Sequence, residues 1–120
     1  MSMYIDGFLA PVAKDKVAAY REHSRKCSEV WKEHGAVDYV ECVGDDVPHG
    51  TLTSFPRAVQ LQDDEVVIFA WIAYPSRAVR DACNAAVMAD PRMQALGEEM
   101  KTILDGKRMV WGGFEAVLQV

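Results

Sequence analysis

The sequence predicts an α+β fold in which helices pack on an antiparallel sheet, and two patterns carry this prediction. Residues 65–74 are apolar or aromatic at nine of ten positions, which is typical of a strand buried on both faces. Residues 15–34 repeat apolar side chains at steps of three and four, which is typical of an amphipathic helix. A chain of 120 residues offers few helices to cover two sheet faces. We therefore expect a second chain to cover one of them.

The first half of the chain predicts a strand, a long helix and a second strand. The first strand covers residues 3–12. The helix runs from about Asp15 to His34, and Gly35 suits a left-handed C-cap. Residues 36–43 form the second strand.

The long helix has one apolar face, and its members are Val17, Tyr20, Ser24, Cys27, Trp31 and His34. His23 lies one step away from this face, so we expect its imidazole at the surface. Tyr20 and Trp31 are expected either in the core or in the wall of a ligand pocket.

The second half of the chain predicts two strands and two further helical segments. Residues 44–50 form a loop, and residues 51–62 form either a short strand or an irregular excursion before the doubly apolar third strand. Ser76 is the expected N-cap of the second long helix. Asp90 and Pro91 restart the chain as a short helix. The last strand covers residues 107 to about 120.

The element order is therefore βαββαβ, the ferredoxin-like plan with a four-stranded antiparallel sheet. Right-handed crossovers place the strands in the order 4-1-3-2, in which the strongly apolar third strand is central. Gly112 and Gly113 in the last strand predict a bulge or a close approach of the backbone. We expect residues 1–120 to form one domain.

The helices of this plan cover one sheet face, and the other face is also apolar. Two such sheets packed face to face would bury it, so we expect a homodimer joined through its sheets. At about 25 cal/mol per Å², burying about 700 Å² of apolar area per chain contributes on the order of 17 kcal/mol before the entropy of association is subtracted. The alternative is a monomeric ferredoxin-like domain.

Composition excludes several classes of protein. The net charge is −5 and no basic stripe occurs, so we expect no binding to nucleic acid. No apolar run approaches the length of a membrane span, and no basic region followed by an apolar core opens the chain. Cys27, Cys42 and Cys83 are odd in number and widely spaced, which favours reduced thiols in the cytoplasm.

Several short segments along nearly the whole chain carry a family resemblance. They are residues 4–8, 31–36, 39–46, 54–58, 87–93, 105–109 and 112–115. Together and in this order they resemble the YbaA-like family of small bacterial proteins of unknown function. The resemblance implies the dimeric α/β-barrel superfamily, in which two ferredoxin-like chains join their sheets into one barrel. That superfamily includes cofactor-free monooxygenases, isomerases, haem enzymes and stress-response proteins, but the YbaA-like branch implies no particular activity.

Three carboxylates within the predicted strands are candidates for acid–base catalysis: Asp6, Glu41 and Glu115. Apolar surroundings would raise the pKa of each carboxyl toward the range in which it exchanges protons. Asp6 and Glu115 lie on neighbouring strands, whereas Glu41 lies on the edge strand at the other side. Alternatively, each side chain points to solvent or pairs with one of three cations: Arg57, Lys107 or Arg108.

His34 is the candidate group that titrates near neutral pH, because it ends the apolar face of the long helix. Its alternative role is to cap the helix, where the dipole favours a cation. The candidate ligand-binding side chains are Tyr20, Trp31 and Arg57. We expect at least two of the five polar candidates (His34, Asp6, Glu41, Glu115 and Arg57) to approach one cavity.

We expect neither a cofactor nor a metal ion. The loop containing Asp45, Asp46 and His49 offers oxygen and nitrogen ligands, but three ligands in one flexible loop make a poor site. No nucleotide-binding, zinc-protease or hydrolase motif occurs.

Two functions remain open. One is a small-molecule enzyme or binder with a pocket between the sheet and the helices. The other is a non-catalytic dimeric module that binds a metabolite or a partner protein. A pocket of a few hundred Å³ with two or more convergent polar side chains would favour the first, and a filled core the second.

Overall fold

The computed structural model describes residues 2–120, and its elements follow the predicted order. The strands are β1 (Tyr4–Ala13), β2 (Asp38–Val43), β3 (Glu65–Tyr74) and β4 (Val110–Glu115). The helices are α1 (Val17–Glu33), the short α2 (Phe55–Ala58), α3 (Arg77–Ala89) and α4 (Arg92–Lys101). Single 3-10 turns at Lys14–Lys16 and Gly106–Arg108 lead into α1 and toward β4.

The four strands form one antiparallel sheet in the order β2-β3-β1-β4, which confirms the predicted ferredoxin-like topology. The central strands β1 and β3 pair along their whole length, from Tyr4 opposite Tyr74 to Ala13 opposite Glu65. β2 and β4 complete the sheet at its two edges.

Gly113 marks a close approach rather than a bulge. The register of β4 on β1 continues without an extra residue, with Gly112 opposite Gly7 and Gly113 opposite Asp6. A Cβ atom at Gly113 would lie 2.6 Å from the Tyr4 hydroxyl oxygen and 2.7 Å from Nη2 of Arg80. Side chains therefore occupy the space that any larger residue at this position would need.

The last strand is shorter than predicted because its partner strand ends. Glu115 lies opposite Tyr4, the first residue of β1, and the N–H of Ala116 still donates to the carbonyl of Met3 at 2.9 Å. Beyond that point Val117, Leu118 and Val120 lie outside the sheet with exposed side chains.

Three helix ends follow local sequence signals. The Ser76 hydroxyl accepts a hydrogen bond from the Val79 N–H at 3.3 Å, which confirms it as the N-cap of α3. Asp90 accepts from the Arg92 N–H at 3.0 Å where α4 begins. After α1, Gly35 adopts a φ of 125°, which L side chains rarely adopt.

One face of the sheet packs against α1, α3 and α4. It presents alternate residues of β3, including Ile68, Ile72 and Tyr74, to the helices. Two groups of buried side chains fill this layer, one around Tyr74 and Val87 and the other around Ile68 and Val12.

The other set of alternate residues on β3 faces away from these helices: Val67, Phe69, Trp71 and Ala73. The segment before β3 folds over one end of this face. There Phe55 of α2 packs edge-on against Phe69 with ring centroids 6.0 Å apart. Phe69 nevertheless stays 45% exposed, so the chain covers this apolar face only in part.

Candidate functional site

A cavity of about 300 Å³ lies between the sheet and the helices α1 and α4. Its walls are mainly apolar and include Phe8 and Ile72 from the sheet, Leu96 from α4 and three methionines: Met93, Met100 and Met109. Methionine side chains adapt readily to ligands of irregular shape. Four polar side chains complete the lining: Tyr20, His23, Tyr39 and Glu41.

Small residues account for the open volume. Ala70 on β3 lies opposite both Phe8 of β1 and Glu41 of β2. Its short side chain leaves space above the sheet between these two larger residues. Gly97 of α4 is an exposed residue that also lines the cavity, and a Cβ atom built there meets nothing within 4 Å. The space that larger residues would fill is therefore left open beside the half-buried carboxyl group of Glu41.

Tyr20 and Glu41 form a hydrogen-bonded pair in the cavity wall. The Tyr20 hydroxyl on α1 donates to Oε2 of Glu41 on β2 at 2.7 Å. Burial raises the pKa of Glu41 above its ordinary value, and the hydrogen bond from Tyr20 opposes this shift. Burial, with the neighbouring Glu41 charge, raises the pKa of Tyr20 as well. The phenol therefore keeps its proton, and Glu41 is the member of the pair that can exchange one.

His23 is buried in the cavity wall with 2% of its surface exposed, so the prediction of a surface imidazole was wrong. The physical reason is α4, which packs along the flank of α1 and covers positions beside the sheet-facing stripe. Nε2 of His23 donates a hydrogen bond to the Leu96 carbonyl of α4 at 2.8 Å. Lys26 and Glu99 pair across the same two helices at 3.0 Å.

Cys27 and Tyr39 belong to the unreactive part of the wall. Burial raises the pKa of the Cys27 thiol to about 11, so the side chain is a neutral thiol rather than a nucleophilic thiolate near neutral pH. Burial also raises the pKa of Tyr39, whose ring packs edge-on against Trp31 with centroids 6.1 Å apart. Trp31 and Tyr39 thus form a fixed aromatic corner of the cavity.

The structure separates the four acid–base candidates. Glu41 lines the cavity, whereas Asp6, His34 and Glu115 lie elsewhere. Asp6 lies below α3 and accepts three hydrogen bonds of 2.9 to 3.1 Å from Arg80. This partner was not among the cations predicted for it. Glu115, the last residue of β4, is exposed.

His34 follows the last residue of α1 and contacts the junction between α3 and α4. Its Nε2 lies 2.9 Å from Oδ2 of Asp90. Arg92 and then His34 lower the pKa of Asp90 well below its usual range. The cavity between helix and sheet therefore does not contain His34, because its imidazole is bound to Asp90 at the junction of α3 and α4.

The three candidate ligand-binding residues also separate. Tyr20 and Trp31 lie in the cavity wall, and their contact with a ligand stays a prediction. The exposed Arg57 instead donates to the carbonyl oxygens of His49 at 3.1 Å and Gly50 at 3.0 Å, which holds the loop before α2. Of the five polar candidates, the cavity therefore contains Glu41 alone, rather than the two or more expected.

Within residues 2–120, no group of three or more His, Cys, Asp or Glu side chains is placed to hold a metal ion. In the same range no helix is both long and apolar enough to cross a membrane.

The family described as "Protein of unknown function (DUF1428)" matches residues 3–106 of the chain. The chain is 50% identical over 115 residues to the uncharacterized protein YbaA of Escherichia coli strain K12, with 96% of this chain and 97% of YbaA covered. The uncharacterized protein YbaA of Shigella flexneri matches with the same identity and coverage.

Solved structures share the fold at much lower identity. A dimeric ferredoxin-like protein from an uncultured marine organism matches with a TM-score of 0.66 and 12% identity over the full length of both chains. A NIPSNAP family protein of unknown function from Agrobacterium tumefaciens gives 0.60 and 17% identity, covering 95% of this chain and 87% of that one. SnoaB from Streptomyces nogalater, a cofactor-independent oxygenase, gives 0.60 and 11% identity, covering 99% and 96%. These similarities confirm the ferredoxin-like fold.

Proposed function

This chain belongs to the DUF1428 family of proteins of unknown function, and we propose that it binds a small, mainly apolar molecule and exchanges a proton with it through Glu41. The observation that carries the proposal is the hydrogen-bonded pair of Tyr20 and Glu41 in the wall of an otherwise apolar cavity. A titratable group with a shifted pKa in such a cavity is typical of ligand and active sites.

The proposed step is a simple proton transfer. Ionised Glu41 accepts a proton from a weakly acidic O–H or C–H bond of the ligand, and the bonding electron pair stays on the ligand. Tyr20 keeps its own proton and holds the carboxylate in place through the 2.7 Å hydrogen bond. Protonated Glu41 then returns the proton to the same atom or to another atom of the ligand.

This step needs no cofactor. SnoaB, which has the same fold, is a cofactor-independent oxygenase, and this supports the proposal that a cavity in this architecture can serve catalysis without one. The free thiols of Cys27, Cys42 and Cys83 agree with the reducing cytoplasm as the proposed compartment.

Binding can be tested with a neutral probe, 2-naphthalenemethanol, by ligand-observed NMR and calorimetry. We expect the probe to bind the natural chain and to bind Gly97→Leu at least about tenfold more weakly, because leucine would occupy the cavity. The matched control is Ala95→Leu, which adds a leucine to the same helix at a position that does not line the cavity. Equal affinities in the two variants would show that the cavity is not the binding site.

Proton transfer can be tested once a ligand from a bacterial metabolite pool has been identified. Glu41→Gln keeps an oxygen acceptor for the Tyr20 hydroxyl but cannot take up a proton. We expect binding to persist and turnover to fall by about 10²- to 10⁴-fold. Undiminished turnover in this variant would eliminate Glu41 as the proton acceptor.

A second proposal concerns the open sheet face, which favours association of two chains. Phe69 lies opposite Leu9, and Leu9 lies opposite Val110, so three neighbouring strands present apolar side chains side by side. Phe69 and Val110 are 45% and 44% exposed, and Phe114 on the same face is 62% exposed. We propose that a second copy of the chain covers this patch. The dimeric ferredoxin-like protein from an uncultured marine organism, which has the same fold, supports this proposal.

Sedimentation equilibrium at micromolar concentration tests the homodimer. We expect about twice the chain mass of 13.4 kDa for the natural chain and the single chain mass for Phe69→Asp, since a charge would lie in a dry interface. Met88→Asp on α3, a 68% exposed position outside the sheet, is the control and should leave the dimer intact. A natural chain of monomeric mass would contradict the proposal. A dimer that binds no probe would instead favour the non-catalytic interaction module.

A further inference from the structure

A second cavity of about 300 Å³ lies at the surface beside the first. The two cavities share three lining residues: Tyr20, Tyr39 and Glu41. These side chains therefore stand at the boundary between an apolar chamber under α4 and a surface chamber between α1 and the β2 edge of the sheet. A ligand that spans this boundary would contact Glu41 with its middle part.

The surface chamber is lined by arginine and serine side chains of α1, which the apolar chamber lacks. Arg21, Ser24, Arg25 and Ser28 follow one another at steps of three, one and three, so they form one stripe along α1. Arg25 is held by two carboxylates, at 2.8 Å from Glu22 and 2.7 Å from Glu29. Its charge is therefore already balanced.

Arg21 is different from every other arginine of the chain. Arg25, Arg77, Arg80, Arg92 and Arg108 each lie within 4.0 Å of a carboxylate, and Arg57 donates to backbone carbonyls. Across residues 2–120, the structure gives Arg21 neither an ion pair nor a side-chain hydrogen bond, and its side chain lines the surface chamber. In a chain with a net charge of −5, an arginine left without an internal acceptor has its full set of donors available to an external one.

We propose that the ligand is an amphipathic anion. Its apolar part lies in the apolar chamber, and its carboxylate or phosphate pairs with Arg21 in the surface chamber. This inference rests on the proposed function. Pairing with Arg21 breaks no existing ion pair, and the planar guanidinium can bind a carboxylate or phosphate through two parallel hydrogen bonds. Such a ligand places its central atoms beside Glu41, where the proposed proton transfer occurs.

The test compares probes that share a naphthalene ring and differ in charge. They are 2-naphthoate, 2-naphthyl phosphate and the neutral 2-naphthalenemethanol, measured by calorimetry at about 0.1 M ionic strength, where the Debye length is about 10 Å. We expect Arg21→Gln to weaken binding of at least one anionic probe about fivefold or more and to leave the affinity for the alcohol unchanged. The anion with the larger loss identifies the preferred group as carboxylate or phosphate.

The matched control is Lys32→Gln, which removes the same unit charge from an exposed position of α1 that lines neither cavity. It should leave all three affinities within about twofold, because screened charges outside the site contribute little. Arg21→Gln should not change the melting temperature, since Arg21 has no protein partner to lose.

Three results would overturn the inference. Equal losses for the charged and neutral probes in Arg21→Gln would mean that Arg21 only packs against the ligand. If Arg21→Gln leaves the anion affinities unchanged while the alcohol still binds, the anion site at Arg21 is refuted. The proposed binding cavity would not be affected by that result. Absence of binding by all three probes to the natural chain would overturn the proposed function together with this inference.

Discussion

The buried ion pair between Asp6 and Arg80 allows a quantitative test of what holds this fold together. The two side chains are 3% and 12% exposed, and three hydrogen bonds of 2.9 to 3.1 Å join them. Asp6→Asn removes the buried negative charge and leaves the guanidinium beside the Tyr4 ring, whose centroid is 5.1 Å from Cζ of Arg80. The remaining carboxylate partner of Arg80 is then the exposed Asp81, at 3.0 Å from Nη1. Breaking a buried pair in this way costs about 3–5 kcal/mol of unfolding free energy.

The corresponding change in melting temperature follows from the size of the chain. With about 2.1 cal/mol/K of unfolding entropy per residue, 120 residues give roughly 0.25 kcal/mol/K, so melting should fall by about 12–20 °C. The assay is urea and thermal unfolding followed by circular dichroism at one fixed protein concentration, since association would also shift the midpoint.

Arg77→Gln is the control for this experiment. Arg77 lies on the same helix and also faces the Tyr4 ring, but it is 70% exposed and 3.6 Å from Asp81. Its loss should cost at most about 1 kcal/mol. The double variant Asp6→Asn/Arg80→Met also removes the guanidinium that has lost its buried partner, and it should recover part of the loss. If Asp6→Asn is no more harmful than Arg77→Gln, the argument that this pair is a structural element is refuted.

Three further predictions concern single positions. Because folding raises the pKa of Glu41 above its ordinary value of 4.5, the stability it contributes is present below that pH and is lost as pH rises through the folded pKa. Glu41→Gln should therefore gain stability relative to the natural chain with rising pH in urea titrations, and a difference independent of pH would contradict this. Gly113→Ala should cost about 1–3 kcal/mol in the same assay because its Cβ meets Tyr4 and Arg80, whereas Gly106→Ala, which opens onto free space, should not destabilise the chain. His34→Ala should lower the free energy of unfolding by about 0.5–1 kcal/mol through the lost helix-end interaction and leave probe affinity unchanged. Weakened probe binding would instead show that His34 takes part in ligand binding.

The layout of the fold could be read from the sequence because it depends on local patterns. The boundaries of β3 coincide with the apolar run at residues 65–74, and Ser76 caps the helix that follows it. The strand order followed from the handedness of crossovers, a general property of the backbone rather than of particular side chains. The end of β4 was misjudged because it is set by where β1 begins, which the sequence of β4 does not contain.

The site could be predicted only in part, because it depends on which helix covers which residue. Asp6 and Glu41 both point to the helix side of the sheet, as their registers show. α3 brings Arg80 onto Asp6 across 74 positions of sequence, whereas Glu41 lies below Tyr20 beside an open cavity. One local signal was available: Arg80 follows the N-cap Ser76 by four residues, which places it on the first turn of α3 near the sheet end. His23 was misjudged for the related reason that α4 widens the buried face of α1.

The cavity combines two features that lower stability. Gly97 lies within α4, where glycine costs about 1 kcal/mol relative to alanine, although a Cβ atom there would meet no neighbour. Glu41 is a carboxyl group held where its ionisation is disfavoured, and a glutamine would keep the hydrogen bond to Tyr20 without that cost. Local departures from the most stable choice are expected where a site serves binding or catalysis. Gly97→Leu should therefore raise the free energy of unfolding while it weakens probe binding. A gain in stability together with a loss of affinity would distinguish a functional cavity from a packing defect, which would show the gain in stability alone.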